Sequence, residues 1–404
     1  MSNTKEICFE TTLGEIGLFE KSYTFSRAIE GEGEVKHIHY GDIHTKLPSV
    51  INEANILPTI TQQDEFQFVN YGDIIIADAS EDYKDLGKAV CYLDQEEKKV
   101  ISGLHTHRLK VDKSKVVPEY LINLFQTSRY RKFVWKMGTG VSVLGLSKSN
   151  LSKYPVTFPD IETQKKIGAF FRQFNKKIQL QQEKINLLKE QKKGYMQRIF
   201  KQEICFKGKN GEGYPEWKST TLNKVATKIS KKNKDLSVTN VISNSAKNGL
   251  ISQNDYFDKD IANKENIGGY YVISKGDFVY NPRISSEAPY GPINIYHGDF
   301  DGIVSPLYTC FRVENVNREF MYYYFKSSLW YKYIYINGDS GARHDRVSIK
   351  DSTFFEMNIL LPCKQEQEKI AGFLSDFDRK IQLEQQKLQE LQEQKAGFMQ
   401  QMFV

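Results

Sequence analysis

Along two stretches of the chain, apolar residues return at alternating steps of four and three. In the first, Ile167, Phe171, Phe174, Ile178, Gln181, Ile185, Leu188, Lys192, Tyr195 and Ile199 keep that step throughout. In the second, the same rhythm runs through Ile370, Leu374, Phe377, Ile381, Glu384, Leu388, Leu391, Lys395, Phe398 and Met402. A sustained seam of this kind predicts a long helix packed on a partner helix in a left-handed coil. Pro159 and Pro362 stand just ahead of the two stretches, which suits helix entry, and no proline interrupts either. At ~1.5 Å per residue, each helix would span on the order of 60 Å.

The two seams belong to one internal repeat. Residues 159–200 return without a gap as residues 362–403, with roughly half the positions identical. Gln164 matches Gln367, Lys166 matches Lys369, Phe170 matches Phe373, Phe174 matches Phe377 and Ile178 matches Ile381. Polar residues occupy two seam positions in each copy, Gln181 with Lys192 and Glu384 with Lys395. Such residues cost stability but penalise wrong registers. The first copy is strongly basic from Lys165 to Lys201, whereas the second mixes in Glu366, Glu368, Asp376, Asp378 and Glu390. That asymmetry predicts pairing of the two helices with each other rather than with copies of themselves. The expected interface is Ile167, Phe171, Phe174, Ile178 and Leu188 against Ile370, Leu374, Phe377, Ile381 and Leu391.

The segments ahead of the helices correspond more faintly. Thr11-Thr12-Leu13 echoes Thr220-Thr221-Leu222, and Tyr71-Gly72-Asp73-Ile74 echoes Lys275-Gly276-Asp277-Phe278. Glu119-Tyr120 through Phe125 echoes Glu319-Phe320 through Phe325. Between these anchors the sequences diverge freely, as expected if each head binds something different. Short β-rich runs dominate both heads: residues 74–77, 89–93, 278–280, 307–313 and 357–361. One helix is expected over 118–136 and another over 317–335. The fold class is α+β: two mostly-β heads separated by two long antiparallel coiled-coil helices, as a pseudo-twofold tandem repeat.

Composition narrows the function without naming it. The net charge of +6 fits a polyanionic partner but does not demand one. Cys8, Cys91, Cys205, Cys310 and Cys363 are odd in number and never spaced as Cys-x-x-Cys, so neither a disulfide framework nor a zinc knuckle is expected. With no signal-peptide pattern at the start, the expected compartment is the cytoplasm.

Catalytic signatures are missing. There is no phosphate-binding G-x-x-x-x-G-K-[ST] loop. Asn281-Pro282-Arg283 resembles an adenine-methylation string but has nothing suited to stacking a flipped base. Pro159-Asp160 followed by Glu190-Gln191-Lys192 resembles a nuclease string, yet its last three residues fall inside a seam helix. His37, His39 and His44, with His105 and His107, lack a completing ligand and read as surface or groove histidines. We expect no enzyme and no metal.

What remains is basic residues interleaved with aromatics and turns. The first head offers Lys136, Ser142 in a Gly138–Ser142 loop, and Lys148. The second offers Lys247 and Asn248, Asn281 and Arg283, and Arg343, His344 and Arg346 in the loop that follows Gly338. Arg and Asn suit bidentate contacts to guanine and adenine edges, while Lys, Ser and backbone N–H groups suit phosphates. A pure assembly scaffold with two protein-binding heads, or an enzyme with unseen motifs, would be the rival classes.

The chain resembles the specificity subunit of type I restriction–modification systems. The resemblance rests most on the runs Phe158-Pro159 to Ile167 and Leu361-Pro362 to Ile370, and on the helix endings Gly194-Tyr195-Met196-Gln197 and Gly397-Phe398-Met399-Gln400. It implies target-recognition domains at 1–155 and 204–358 and helices at 156–203 and 359–404. It also implies that each head reads half of a split site on double-stranded DNA through the major groove. The helix pair would set the spacer and dock two modification subunits, with two restriction subunits joining them. S-adenosylmethionine, ATP and Mg would belong to those partners, and this chain would hold no cofactor. Gly213-Tyr214-Pro215-Glu216-Trp217, leading into the second head, has only Cys8-Phe9-Glu10 as its counterpart in the first.

Overall fold

The computed structural model describes residues 9–96, 98–253, 267–340 and 345–403. Two helices dominate it, the central helix Ile161–Phe200 and the terminal helix Lys364–Met402. The chain divides into two compact units, Met1–Gln182 with Gln386–Val404, and Glu183–Gln385. Each long helix therefore gives one half to each unit.

Unit one centres on a five-stranded sheet in the order Gly17–Glu20, Thr106–Val111, Ile74–Ala77, Ala89–Tyr92, Val50–Ile51, antiparallel except for its last pair. A three-stranded sheet of Thr59–Ile60, Glu30–Ile38 and Val100–Ser102 packs beside it. The run Ile74-Ile75-Ile76 is apolar without alternation because both faces are covered. Ile74 and Ile76 join one core with Leu109, Tyr120, Phe125 and Tyr130, while Ile75 and Ala77 join another with Ile38, Val90 and Tyr92.

Unit two repeats the plan with four antiparallel strands in the order Ala226–Lys228, Thr309–Val313, Asp277–Tyr280, Ile293–Ile295. Phe278 and Tyr280 face a core with Phe311, Phe320 and Trp330, and Val279 faces a smaller one with Ile242 and Val304.

The faint sequence echoes mark shared devices. Gly72 and Gly276 both adopt φ of +89°, a left-handed turn that a side chain would strain. The next residue is a buried aspartate: Asp73 accepts from the Arg108 guanidinium at 2.7 Å, and Asp277 from Arg312 at 2.7 Å. Thr11-Thr12 and Thr220-Thr221 lie in short strands, Phe9–Thr12 and Lys218–Thr221, which pair with the strands leading into the long helices. The repeated glutamine in each helix is a clamp. Gln164 Oε1 accepts from the Val117 N–H at 2.8 Å and its amide donates to the Pro159 carbonyl; Gln367 does the same with Asn317 and Pro362.

Within each unit the halves of the long helices run antiparallel. In unit one, Phe398 meets Phe170 and Phe174, at 5.1 and 5.8 Å between ring centroids. In unit two, Tyr195 meets Phe373 and Phe377 at 5.3 and 5.6 Å. Of the positions expected at a helix–helix interface, Phe171, Ile370 and Leu374 are fully buried, Phe174 and Ile381 nearly so, and Ile167, Ile178, Leu188, Phe377 and Leu391 half-buried; Ile370 and Leu374 join the core that holds Phe320 and Tyr324.

The helices expected over 118–136 and 317–335 are each two helices, Pro118–Leu124 with Ser128–Met137 and Arg318–Lys326 with Tyr331–Asn337. A hydroxyl breaks both. Thr127 Oγ1 donates to the Leu124 carbonyl and caps Tyr130, and Ser327 Oγ donates to the Tyr324 carbonyl and accepts from the Leu329 N–H. No helix among the described residues is long and apolar enough to cross a membrane.

Candidate nucleic-acid interface

In unit two, the strand Asp277–Tyr280 runs out into Asn281-Pro282-Arg283. Asn281 is buried: its amide donates to the Asn244 carbonyl at 2.9 Å, and its Oδ1 accepts from the Arg283 N–H at 3.0 Å. It therefore shapes the turn rather than facing solvent. The Val347 N–H donates to the Pro282 carbonyl and the Ile284 N–H to the Asp345 carbonyl, which sets Arg283 opposite Arg346 on antiparallel backbone. Both arginines are exposed. With Ser243, Ser245 and Tyr308 they line a groove of about 270 Å³. Burial pushes the Tyr308 phenol up; a backbone hydrogen bond with Asn244 and the charges of Arg283 and Arg346 oppose that shift.

The hairpin of Ile242–Ser245 and Gly249–Ser252 forms part of the wall. Lys247 and Asn248 are exposed at its tip, where Asn248 N–H donates to Ser245 Oγ. The two also line a second hollow, of about 680 Å³, together with Asn294, His297, Tyr322 and Lys326. Burial pushes the Lys326 ammonium down to about 8; Lys192 adds to the shift and Asp378 opposes it. Arg343 and His344 lie outside the described residues.

Unit one places different chemistry at the matching strand end. The strand Ile74–Ala77 runs into Asp78, whose carbonyl accepts from the Leu146 N–H at 2.8 Å, as the Pro282 carbonyl does from Val347. Here the positions matching Arg283 and Arg346 are Ala79 and Gly145, paired in a short ladder. The Asp78 carboxylate instead faces His105 Nδ1 at 3.3 Å and His107 Nδ1 at 3.6 Å. His105 is half-exposed in the left-handed region at φ +52°, and the Tyr40 ring meets its edge at 5.3 Å.

The loop after Gly138 closes as a hairpin, because Thr139 and Gly145 exchange both backbone hydrogen bonds. Its tip, Val141-Ser142-Val143, stands in solvent, as does Lys136 one turn back. Lys148 is tethered instead, its Nζ donating to the Glu20 carbonyl at 3.0 Å.

The histidines expected at the surface or in a groove divide: His105 is half-exposed and His44 half-buried. His37, His39 and His107 are buried. His39 caps the helix Tyr40–Thr45, and His107 Nε2 lies 2.7 Å from the Leu146 carbonyl. Burial lowers the pKa of His39, His44 and His107. Among the described residues no group of three His, Cys, Asp or Glu side chains is arranged to hold a metal ion. Asp78 and Tyr40 were not singled out in the sequence, and His105 only as a surface or groove histidine. The register that pairs Asp73 with Asp277 already places Asp78 at the position of Pro282; His105 and Tyr40 come to it only through the fold.

Two heads on separate cores, whose matching inner strands end among unlike side chains, define a doubled recognition protein. The model of the type I restriction modification DNA specificity domain matches the chain twice, over residues 9–190 and 200–393. The chain belongs to that family: it is a type I restriction–modification specificity subunit, the DNA-recognising component that carries no catalytic centre. It is 24% identical over 378 residues to a Methanocaldococcus jannaschii protein assigned as the specificity subunit of the type I restriction enzyme MjaX, covering 86% of this chain and 82% of that one. The crystal structure of a type I restriction–modification S subunit from M. genitalium has a similar fold, with TM-score 0.54 and 11% identity, over 100% of this chain and 98% of that one. So has a chain from a study of complex assembly and conformational transition of the type I R-M system, with TM-score 0.57 and 13% identity, over 100% and 99%.

Proposed function

We propose that each unit reads one half of a bipartite site in duplex DNA through the major groove, while the two long helices act as a coiled-coil spacer related by pseudo-twofold symmetry. Two modification subunits dock on that helix pair, and two restriction subunits join through them. S-adenosylmethionine, ATP and Mg belong to those partners, and the assembly works in the cytoplasm. The observation that carries this reading is the sharing of both long helices between two units whose matching strand ends carry unlike side chains, Asp78 and Ala79 in one, Pro282 and Arg283 in the other. Two unlike readers on common helices suit a target with two unlike halves at a set distance.

Lysines such as Lys136 and Lys247 supply salt-dependent phosphate affinity without sequence preference. Side chains at the strand ends discriminate bases, each good bidentate contact contributing about 1–3 kcal/mol. The complex of this chain with its modification subunits should retard a duplex carrying the split site and lose that binding when the spacer changes by one base pair. Retention of full affinity across spacer lengths would refute the helix pair's role. Binding to no duplex at all would leave the scaffold reading instead.

A further inference from the structure

Arg283 and Arg346 stand directly across an antiparallel bridge. Paired positions in such a ladder carry side chains on the same face, ~5 Å apart, and like charges placed there repel. Little in the protein relieves that repulsion. Among the described residues the only carboxylate recorded beside either guanidinium is Asp345, 3.8 Å from Arg346. The backbone beneath them is held firmly, by Asn281 under Arg283 and by the Pro282 carbonyl under Val347. The groove they crown is otherwise neutral, lined by hydroxyls and amides of Ser243, Ser245, Asn244 and Tyr308. Two solvent-facing forks of N–H donors on a fixed stretch of backbone, without enough acceptors at home, suit an acceptor that arrives from outside.

Two arginines can also clamp a phosphate, but that contact carries no sequence information. The guanine edge offers O6 and N7 as a matched acceptor pair in the major groove, and arginine is its commonest partner. We infer that Arg283 and Arg346 are the guanine-reading pair of unit two, so that the half-site taken by this unit contains guanine while the other half-site is read without arginine at the matching place. Ala79 and Gly145 occupy those positions in unit one, and the groups offered nearby are the Asp78 carboxylate and His105. This inference rests on the proposed reading of a bipartite site.

The test uses the complex of the full chain with its modification subunits. Long-read mapping of methylated adenines in a host carrying them gives the target duplex. Duplexes are then made with 7-deazaguanine in one half-site or the other, which removes N7 and leaves every phosphate in place. Substitution in one half-site should weaken binding on the order of tenfold or more, and substitution in the other should not. In the Arg283→Gln, Arg346→Gln double variant that penalty should vanish while the other half-site is still read. A double variant that loses affinity for all duplexes alike, with a shallower salt dependence, would show phosphate contacts and overturn the inference. Indifference of the wild-type complex to 7-deazaguanine in both halves would overturn it without any variant. Failure to bind the unsubstituted duplex would sink the proposed function itself.

Discussion

At the head of the inner strand, unit one sets Asp73 against Arg108 and unit two sets Asp277 against Arg312, with the same turn, the same preceding glycine and the same 2.7 Å contact. The surroundings differ. Both partners are 3% exposed in unit one, whereas in unit two Arg312 is 45% exposed. Further along the two strands even the residue types part company, Asp78 and Ala79 in one unit against Pro282 and Arg283 in the other. Positions that satisfy buried backbone or close a turn recur in both copies. Positions that reach solvent beyond the strand end are free to differ. The repeat thus separates frame from reader residue by residue.

The largest expected effect tests whether the shared frame device has the same strength in both places. Asp73→Ala leaves Arg108 as an uncompensated buried charge and should cost about 3–5 kcal/mol. Asp277→Ala leaves a guanidinium that water can reach, so its cost should be nearer 1–3 kcal/mol, chiefly the lost hydrogen bonds. Hydrogen exchange in the full chain, read at Ile74–Ala77 and at Asp277–Tyr280, measures each loss locally. Equal losses would mean that burial of the arginine does not set the strength of the pair.

How much of this was legible in the sequence follows the same division. The buried face of each long helix was readable because a helix face repeats at a fixed spacing, so Phe171, Ile370 and Leu374 are buried where the rhythm puts apolar residues, although Ile370 and Leu374 pack into the core of unit two that holds Phe320. The strands at residues 74–77 and 278–280 were readable as apolar runs bounded by Gly-Asp turns. The helix breaks at Thr127 and Ser327 were not, since a hydroxyl that bonds back to its own backbone looks in sequence like any polar surface residue. In the reader, composition gave candidate types but not their surroundings. Asn281 and Lys148 looked like Asn248 and Lys247, yet the first is a buried brace and the second is tied to the Glu20 carbonyl. The Asp78–His105 pair joins residues far apart in the chain, and only strand pairing brings them together.

A second difference is the half-buried lysine at the hollow of unit two. Lys326 corresponds in the repeat to Gln126 of unit one. Its folded pKa, about 8, lies below the ordinary 10.5, so folding opposes its proton. The penalty is complete below pH 8, where folded and unfolded chains are both charged. It fades between pH 8 and 10.5 as the folded chain sheds its proton first. Lys326→Gln should therefore stabilise unit two near pH 7 by about 1–2 kcal/mol, less than the full shift implies because the contacts to Asn294 and the Tyr322 ring are lost. The gain should shrink as pH rises toward 10. Thermal unfolding of both chains at pH 7 and 9.5 checks this, and a gain that grows with pH would contradict it.

The smallest expected effect concerns the lysine that both copies keep on the seam. In unit two, Lys192 Nζ lies 2.6 Å from both oxygens of Asp378 and 4.8 Å from the Tyr323 ring, and Tyr323 donates to the same carboxylate. In unit one, Lys395 reaches Gln126 Oε1 at 2.8 Å, and the position that matches Asp378 is Asn175. Burial lowers the Lys395 pKa, so the charged form is held there at a cost. Replacing each by the nearly isosteric, apolar methionine should then act with opposite sign. Lys192→Met removes a partner from a half-exposed carboxylate and should destabilise unit two by about 1 kcal/mol. Lys395→Met removes a desolvated charge whose only recorded hydrogen-bond partner among the described residues is an amide, and should be neutral or stabilising by up to about 1 kcal/mol. Hydrogen exchange along the two helix halves of each unit resolves the pair. Should both substitutions destabilise equally, the lysine stem packed in the seam, rather than its charge, would be what the repeat preserves.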